Sequence, residues 1–465
     1  LTTGSVKDVD FHLVDISNRE QVQQAFGAPW PLSSASAAAA AAALNPDPDH
    51  DRDPGPIDDR RGHEDDGDGE DITVFHTAAN IRFYERDPRL LHLSDKVNVV
   101  GTQNVLDAAR AVGVSILIYT SSGSVAVRRM RLWLWPWERR PEFWVQTFND
   151  NNDNDDDDDD GDARLPRRHE QMFSNYAASK VKAERLVRQA DKTPLAPAGG
   201  RKAKARGDER RRQQRLLRTG CVRPSNGIYG TGGDILCGAY LARQVNPSWA
   251  HDILQNFVYV ENATLAHFCY ERRLIERARH GGGRSPNPDI GGQTFSIVDA
   301  GPPVTYGDVY TVLSTLTDGR TVFPRLSATA MFTLAHVFEW LHLSRSFAAS
   351  SSSPFLRRVG QLIPAPNGDL VNLQPSIFFL TMVHLVWDDS RARMSPEKGG
   401  LGYEPQWTTL AALCKLVAEH KKANGRFEVR SMGGGISFGF GFASVSRAVK
   451  KVIKDFATDA TLLDE

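Results

Sequence analysis

The chain has 465 residues, 40% hydrophobic and 24% charged, a balance that suits a packed globular protein and excludes a disordered or multi-span membrane chain. With 56 basic against 57 acidic residues the net charge is -1, so no global field recruits nucleic acid. Cys221, Cys237, Cys269 and Cys414 are scattered without metal-ligand spacing, which fits a reducing compartment and no metal site.

In chain order, Asp10 to Val14 reads as an extended run ending at Asp15, and Asn18 to Phe26 as a helix capped by Asn18. Residues 35–71 start as poly-alanine and become an Asp/Pro/Gly/Arg mixture, the composition of a surface insertion. Ile72 to His76 is a compact buried strand. Val97 to Val112 carries apolar positions at helical spacing, with Gly113 as its stop signal. Ser115 to Tyr119 is again a strand, running into Thr120, Ser121 and Ser122. Trp133, Trp135 and Trp137 follow in a loop suited to a lid, an interface contact or plain packing.

The Asn/Asp run at 149–162 and the Lys/Arg/Pro/Gly stretch at 193–215 read as two further solvated insertions. Between them Ser174 to Gln189 is a helix, and Leu217 to Val222 is the next strand. Strands alternating with helices imply crossover units and a parallel sheet with helices on both faces. Later, Thr294 to Val298 is a strand and Tyr306 to Leu316 a helix. Ala328 to Leu343 is apolar and aromatic, short of the ~20 residues that span hydrocarbon, and reads equally as a core or an interfacial helix. The glycine-rich run Met432 to Gly441 and the basic helix Val445 to Phe456 form a tail.

Tyr176 and Lys180 stand four residues apart on the predicted helix, so both side chains share one face. A phenol titrates near ~10 and is a poor base at neutral pH. A neighbouring ammonium stabilises the phenolate and makes the pair a usable acid/base. Ser122 ends a strand at the sheet edge where ligands bind in open parallel sheets, and its hydroxyl can hold a substrate oxygen.

These segments carry a resemblance. Val74 to Ala79, Val97 to Val105, Tyr119 to Ser122, Tyr176 to Lys180, Arg223-Pro224 with Ile228 to Gly230, and Phe257 to Ala263 follow in one order. The chain resembles an extended short-chain dehydrogenase/reductase of the 3β-hydroxysteroid dehydrogenase/isomerase family, over about residues 8–425. The resemblance implies an α/β, Rossmann-like doubly wound sheet within residues 1–292. A smaller C-terminal α/β substrate lobe is expected at 293–425 and an extension at 426–465. Ser122, Tyr176 and Lys180 would be catalytic. Cofactor contacts would fall to Asp15, Ile16, Ala78, Ala79, Asn98, Tyr176, Lys180 and Pro224. For Asn98 a purely structural role is nearly as well supported.

The family's glycine-rich turn after the first strand has no counterpart before Asp15, so the first βαβ unit is expected to be truncated from the sequence. No secretory signal stands in residues 1–30. The implied protein is intracellular, in the cytoplasm or on the cytosolic face of the endoplasmic reticulum. It uses NAD, with NADP also open, on a steroid or sterol-like small molecule. Peripheral membrane contact and a homodimer are both compatible. Two functions remain: a dehydrogenase of a 3β-hydroxyl, with isomerase or decarboxylating follow-on, and a catalytically silent binding protein. Reductases or epimerases of other substrates also stay open.

Overall fold

The computed structural model describes residues 10–28, 72–130, 144–150, 165–195, 215–231, 234–279, 286–363 and 371–423. Helix α1 (Arg19–Gly27) starts at the expected cap, where Asn18 Oδ1 accepts from the backbone N–H groups of Glu20 and Gln21 at 3.0 and 3.2 Å. Residues 10–14 form no strand; Phe11 and Leu13 are exposed there. Strand β1 (Thr73–His76) is followed by a π-helical turn, Lys96–Gly101, that widens the start of α2 (Thr102–Val112). Gly113 ends α2 at φ 82°, a left-handed position that favours glycine. Strand β2 (Ile116–Thr120) comes next. Strand β3 (Val145–Asn149) leaves for a second sheet.

Helix α3 (Asn175–Gln189) is capped by Ser174, whose Oγ accepts from the Ala177 backbone. Strand β4 (Leu216–Pro224), helix α4 (Val260–Arg279) and strand β5 (Thr294–Ile297) complete the first sheet. Its main strands run β1-β2-β4-β5, all parallel, with Val74 beside Leu117, Leu117 beside Thr219, and Val222 beside Phe295, and a fifth two-residue strand joins β4 antiparallel. Both faces are covered. Ile116 and Ile118 of β2 point into a core with α4, while Leu117 and Tyr119 point into one with α1, α2 and α3. Each such aliphatic side chain contributes about 1.5–3 kcal/mol by burial, which is why β2 reads as a continuous apolar run. Gly220 of β4 lies under Tyr270 of α4; a Cβ there would sit 2.2 Å from the ring. Among the described residues β1 pairs only with β2, so its other edge is open.

The second sheet runs Val304–Thr305, Leu254–Gln255, β6 (His384–Asp388) and β3. Helices α5 (Tyr306–Leu316) and α8 (Thr409–Lys422) pack beside it, and α6 (Ala328–Ser350) turns back through α7 (Pro354–Leu362). The two lobes interleave in sequence. The strand at 294–297 belongs to the first sheet, while 145–149 and 254–255 serve the second, so the sheets do not divide at residue 293.

Two expected insertions are ordered at their ends. Asn149 closes β3 opposite Asp388, and Asp150 is 4% exposed. Thr193–Pro194 pairs antiparallel with Leu216–Leu217 at the start of β4, and Leu195 N–H donates to the Arg215 carbonyl at 3.0 Å. Both corrections have the same cause: backbone pairing with the sheet overrides a polar local composition. The segment 35–71, the three tryptophans at 133–137 and residues 426–465, with the glycine run and basic helix, lie outside the described residues. Helix α6 extends past the expected end at Leu343 to Ser350, with Phe332 and Ala335 buried but Leu334, Val337 and Trp340 exposed. No described helix is long and apolar enough to cross a membrane.

Candidate active site

The C-terminal ends of β1, β2 and β4 open into one cavity of about 540 Å³. Ser122, Tyr176, Lys180, Pro224 and Ala79 all line it, brought together from three strand ends and the first turns of α3. Ile81, Phe83, Phe173, Ile235 and Leu380 give it apolar walls. The size and lining are those of a small-molecule site.

Within it the Tyr176 hydroxyl and the Ser122 side chain line the same wall, and the Ser122 hydroxyl favours the phenolate. The Ser122 Oγ also lies 2.8 Å from Ser124 Oγ and accepts from Ser124 N–H at 3.2 Å, which fixes its direction. Lys180 Nζ donates to the Thr120 carbonyl at 2.8 Å and stands 4.5 Å from the Tyr119 ring centroid. Burial raises Tyr176 to about 12, opposed by the Ser122 hydroxyl. Burial also lowers Lys180 to about 7, opposed by the charge of Glu184. The expected lowering of the phenol by its lysine does not appear; desolvation dominates the Tyr176 hydroxyl.

The remaining residues named from sequence lie around the cavity rather than in its wall. Asp15 is exposed, with its carboxylate accepting from Ser17 N–H and Oγ at 2.9 and 2.8 Å. The Ile16 side chain packs against Gly101. Ala78 is exposed beside Thr77 and Ala79, which do line the cavity. Asn98, turned inward by the π-helical turn, is a clamp. Its Oδ1 accepts from Asn80 N–H at 2.7 Å, and its Nδ2 donates to Asn80 O and to Ser179 Oγ at 3.0 and 2.8 Å. The loop after β1 is thereby fastened to the helix of Tyr176.

Several residues escaped the sequence reading. His267 of α4 lines the cavity; its Nδ1 donates to the Ala263 carbonyl at 2.7 Å, so Nε2 accepts from Thr120 Oγ1 at 2.7 Å. Asp234, also in the wall, accepts from the N–H groups of Gly230, Leu236 and Gly238. Burial nevertheless raises it to about 6. Glu184, two turns beyond Tyr176 on the inward face of α3, forms a buried ion pair with Arg223. An acidic residue four positions after Lys180 was the one available signal.

This arrangement brings a Ser–Tyr–Lys set to the strand ends of a doubly wound parallel sheet. A family model described as "Male sterility protein" matches residues 71–197, and the 3-beta hydroxysteroid dehydrogenase/isomerase family model matches residues 148–321. The chain is 28% identical over 274 residues to the Arabidopsis thaliana 3beta-hydroxysteroid-dehydrogenase/decarboxylase isoform 2, covering 57% of this chain and 38% of that protein. It is 29% identical over 246 residues to the Mus musculus 3 beta-hydroxysteroid dehydrogenase type 7, covering 50% of this chain and 51% of that one. On these matches the chain is similar to the 3β-hydroxysteroid dehydrogenase/isomerase family over part of its length. It spans about half the length of the curated relatives it matches. Among solved structures, a Thermotoga maritima UDP-glucose 4-epimerase with UDP-glucose has a TM-score of 0.46 at 13% identity, covering 91% of this chain and 89% of that one.

Proposed function

We propose that the chain oxidises a 3β-hydroxyl of a steroid or sterol with NAD. The observation that supports this most directly is the convergence of Tyr176, Ser122 and Lys180 inside one largely apolar cavity. Ser122 would hold the substrate oxygen and Tyr176 would take its proton, with Lys180 behind them against the Thr120 carbonyl. Ile81, Phe83, Phe173 and Leu380 suit a rigid hydrocarbon frame and exclude water from the transferring proton.

The donor set fits a nicotinamide ribose at this end of the cavity: Tyr176 and Lys180 would hold the ribose, and Pro224 and Ala79 would flank it. NAD, when bound, supplies the hydride acceptor. Asp15 and Ile16 lie outside the cavity wall, so they add no support for the adenine end. Incubating the chain with NAD and a panel of 3β-hydroxysterols should give an absorbance rise from NADH, with the 3-ketone as product. NADH formation from UDP-sugars but not from sterols would reject the substrate assignment.

Peripheral membrane contact belongs to the same proposal. The α6–α7 hairpin exposes Trp340 (66%), Phe355 (73%) and Leu362 (83%), and α7 also carries Arg357 and Arg358. Apolar anchors with basic neighbours suit an anionic bilayer surface. The chain should cosediment with phosphatidylcholine/phosphatidylserine vesicles, and Trp340→Glu should weaken that binding. Equal sedimentation of both proteins would exclude the hairpin as the contact.

A further inference from the structure

Glu184 lies behind the cavity wall, in contact with both strand ends that form it. Its carboxylate is 3% exposed, yet it is fully engaged. Arg223 Nε donates to Oε2 at 2.9 Å and Arg223 Nη2 to Oε1 at 2.5 Å; Ser121 Oγ donates to Oε2 at 2.6 Å. Thr294 Oγ1 adds a longer bond to Oε1 at 3.4 Å. Arg223 is in turn 3.5 Å from Asp150, whose carboxylate accepts from Ser296 N–H and from Ser296 Oγ. The geometry therefore connects α3 to the end of β2, the end of β4, and β5.

Each connection ends next to a cavity residue. Ser121 precedes Ser122, Arg223 precedes Pro224, and Glu184 stands one helical turn after Lys180, which stands one turn after Tyr176. Two cations, Lys180 and Arg223, and two anions, Glu184 and Asp150, share this interior. A buried charge needs such pairing to persist.

We propose that Glu184 is a positioning residue: it ties the Ser121–Ser122 turn and the Arg223–Pro224 strand end to the helix of Tyr176 and Lys180, and it supplies the counter-charge to Lys180. The catalytic part of this rests on the dehydrogenase reading; the electrostatic part does not. Glu184 of α3 and Cys221 of β4 act on Lys180, His76 of β1 feels its charge, and the Tyr119 ring of β2 stands 4.5 Å from its Nζ; Tyr176 of α3 and Arg223 of β4 face the same interior. Burial holds Lys180 near 7, lowers His76 to about 3 and puts Tyr176 at about 12, while Cys221 is raised well above its usual range. From pH 7 to about 9.5, Lys180 is therefore the member of this set that changes charge in the folded state.

The sign of the linkage follows. A lysine whose folded value is depressed below its unfolded value binds fewer protons when folded, so stability climbs with pH between about 7 and the unfolded value. Removing an anion that favours the ammonium matters only where Lys180 is charged. Glu184→Gln should therefore cost more stability at pH 6 than at pH 9.5 in urea unfolding of the cofactor-free chain. That difference should vanish in a Lys180→Met background. An equal cost at both pH values, or a pH dependence that survives Lys180→Met, would overturn the proposal.

Glu184→Asp retains the charge and serves if Glu184→Gln does not fold; its cost should be the same at both pH values, and a cost that grows at pH 6 would count against the counter-charge role. With NAD and a sterol substrate, Glu184→Gln should lower kcat by about 10²-fold through misplacement of the Ser122 turn, with a much smaller change in KM. An unchanged kcat would remove the positioning role. Loss of turnover in the wild-type chain as well, with the pH effect intact, would reject the dehydrogenase reading and leave the electrostatic one standing.

Discussion

Replacing Tyr176 by phenylalanine is expected to lower kcat for hydroxyl oxidation by about 10²–10⁴-fold, the usual contribution of a positioned acid/base group. The substitution isolates the chemistry because the ring is already part of the packing: Tyr176 is 8% exposed in a core with Phe173, Ala177 and Phe379. Phenylalanine keeps that volume and removes one oxygen. Ser122 keeps its contact with Ser124 at 2.8 Å, so the turn stays in place. The melting temperature and the affinity for NADH, read by fluorescence, should change little. Turnover equal to that of the wild-type chain would sink the assignment of Tyr176. A parallel loss of NADH binding would instead make the residue a cofactor contact first.

The second large effect concerns stability. Asp299, 3% exposed just beyond β5, accepts from Tyr229 OH at 2.9 Å, Tyr259 N–H at 2.6 Å, Asn262 Nδ2 at 2.7 Å and Thr409 Oγ1 at 3.0 Å. These donors come from three separate stretches of chain, including the starts of α4 and α8. An orphaned buried donor costs about 1–3 kcal/mol, and the costs do not add fully. Asp299→Ala should therefore lose on the order of 4 kcal/mol, measured as a lower urea midpoint. Asp299→Asn, which keeps one acceptor oxygen but turns an amide N–H towards existing donors, should fall between. A loss under about 1 kcal/mol for alanine would mean that the donors find other partners.

Local signals made much of the first lobe legible. The run Ile116 to Thr120 is apolar on both faces because helices cover both; Ser174 and Asn18 announce their helices by capping; Gly113 stops α2 by adopting a positive φ. Ser122, Tyr176 and Lys180 could be named together because helical spacing and a strand end put them on one side of the sheet. What stayed hidden was non-local. The second sheet uses two-residue strands at 254–255 and 304–305, too short to show a period. Its edge strand β3 pairs with β6 from the far end of the chain. The π-helical turn leaves an ordinary helical pattern in the sequence, yet it is what turns Asn98 towards Asn80 and Ser179. Glu184 and Arg223 reveal their partnership only when α3 packs on β4. The upward shift of Tyr176 depends on burial, which no motif encodes.

The acidic run that begins at Asn149 also sets a boundary for chain design. Its first two residues belong to the folded protein: Asn149 ends a strand, and Asp150 joins Ser296 to Arg223 behind the cavity wall. A shortened version made for crystallisation should place its first cut after Asp150, because a deletion drawn by composition alone would excise a core strut together with the low-complexity tract.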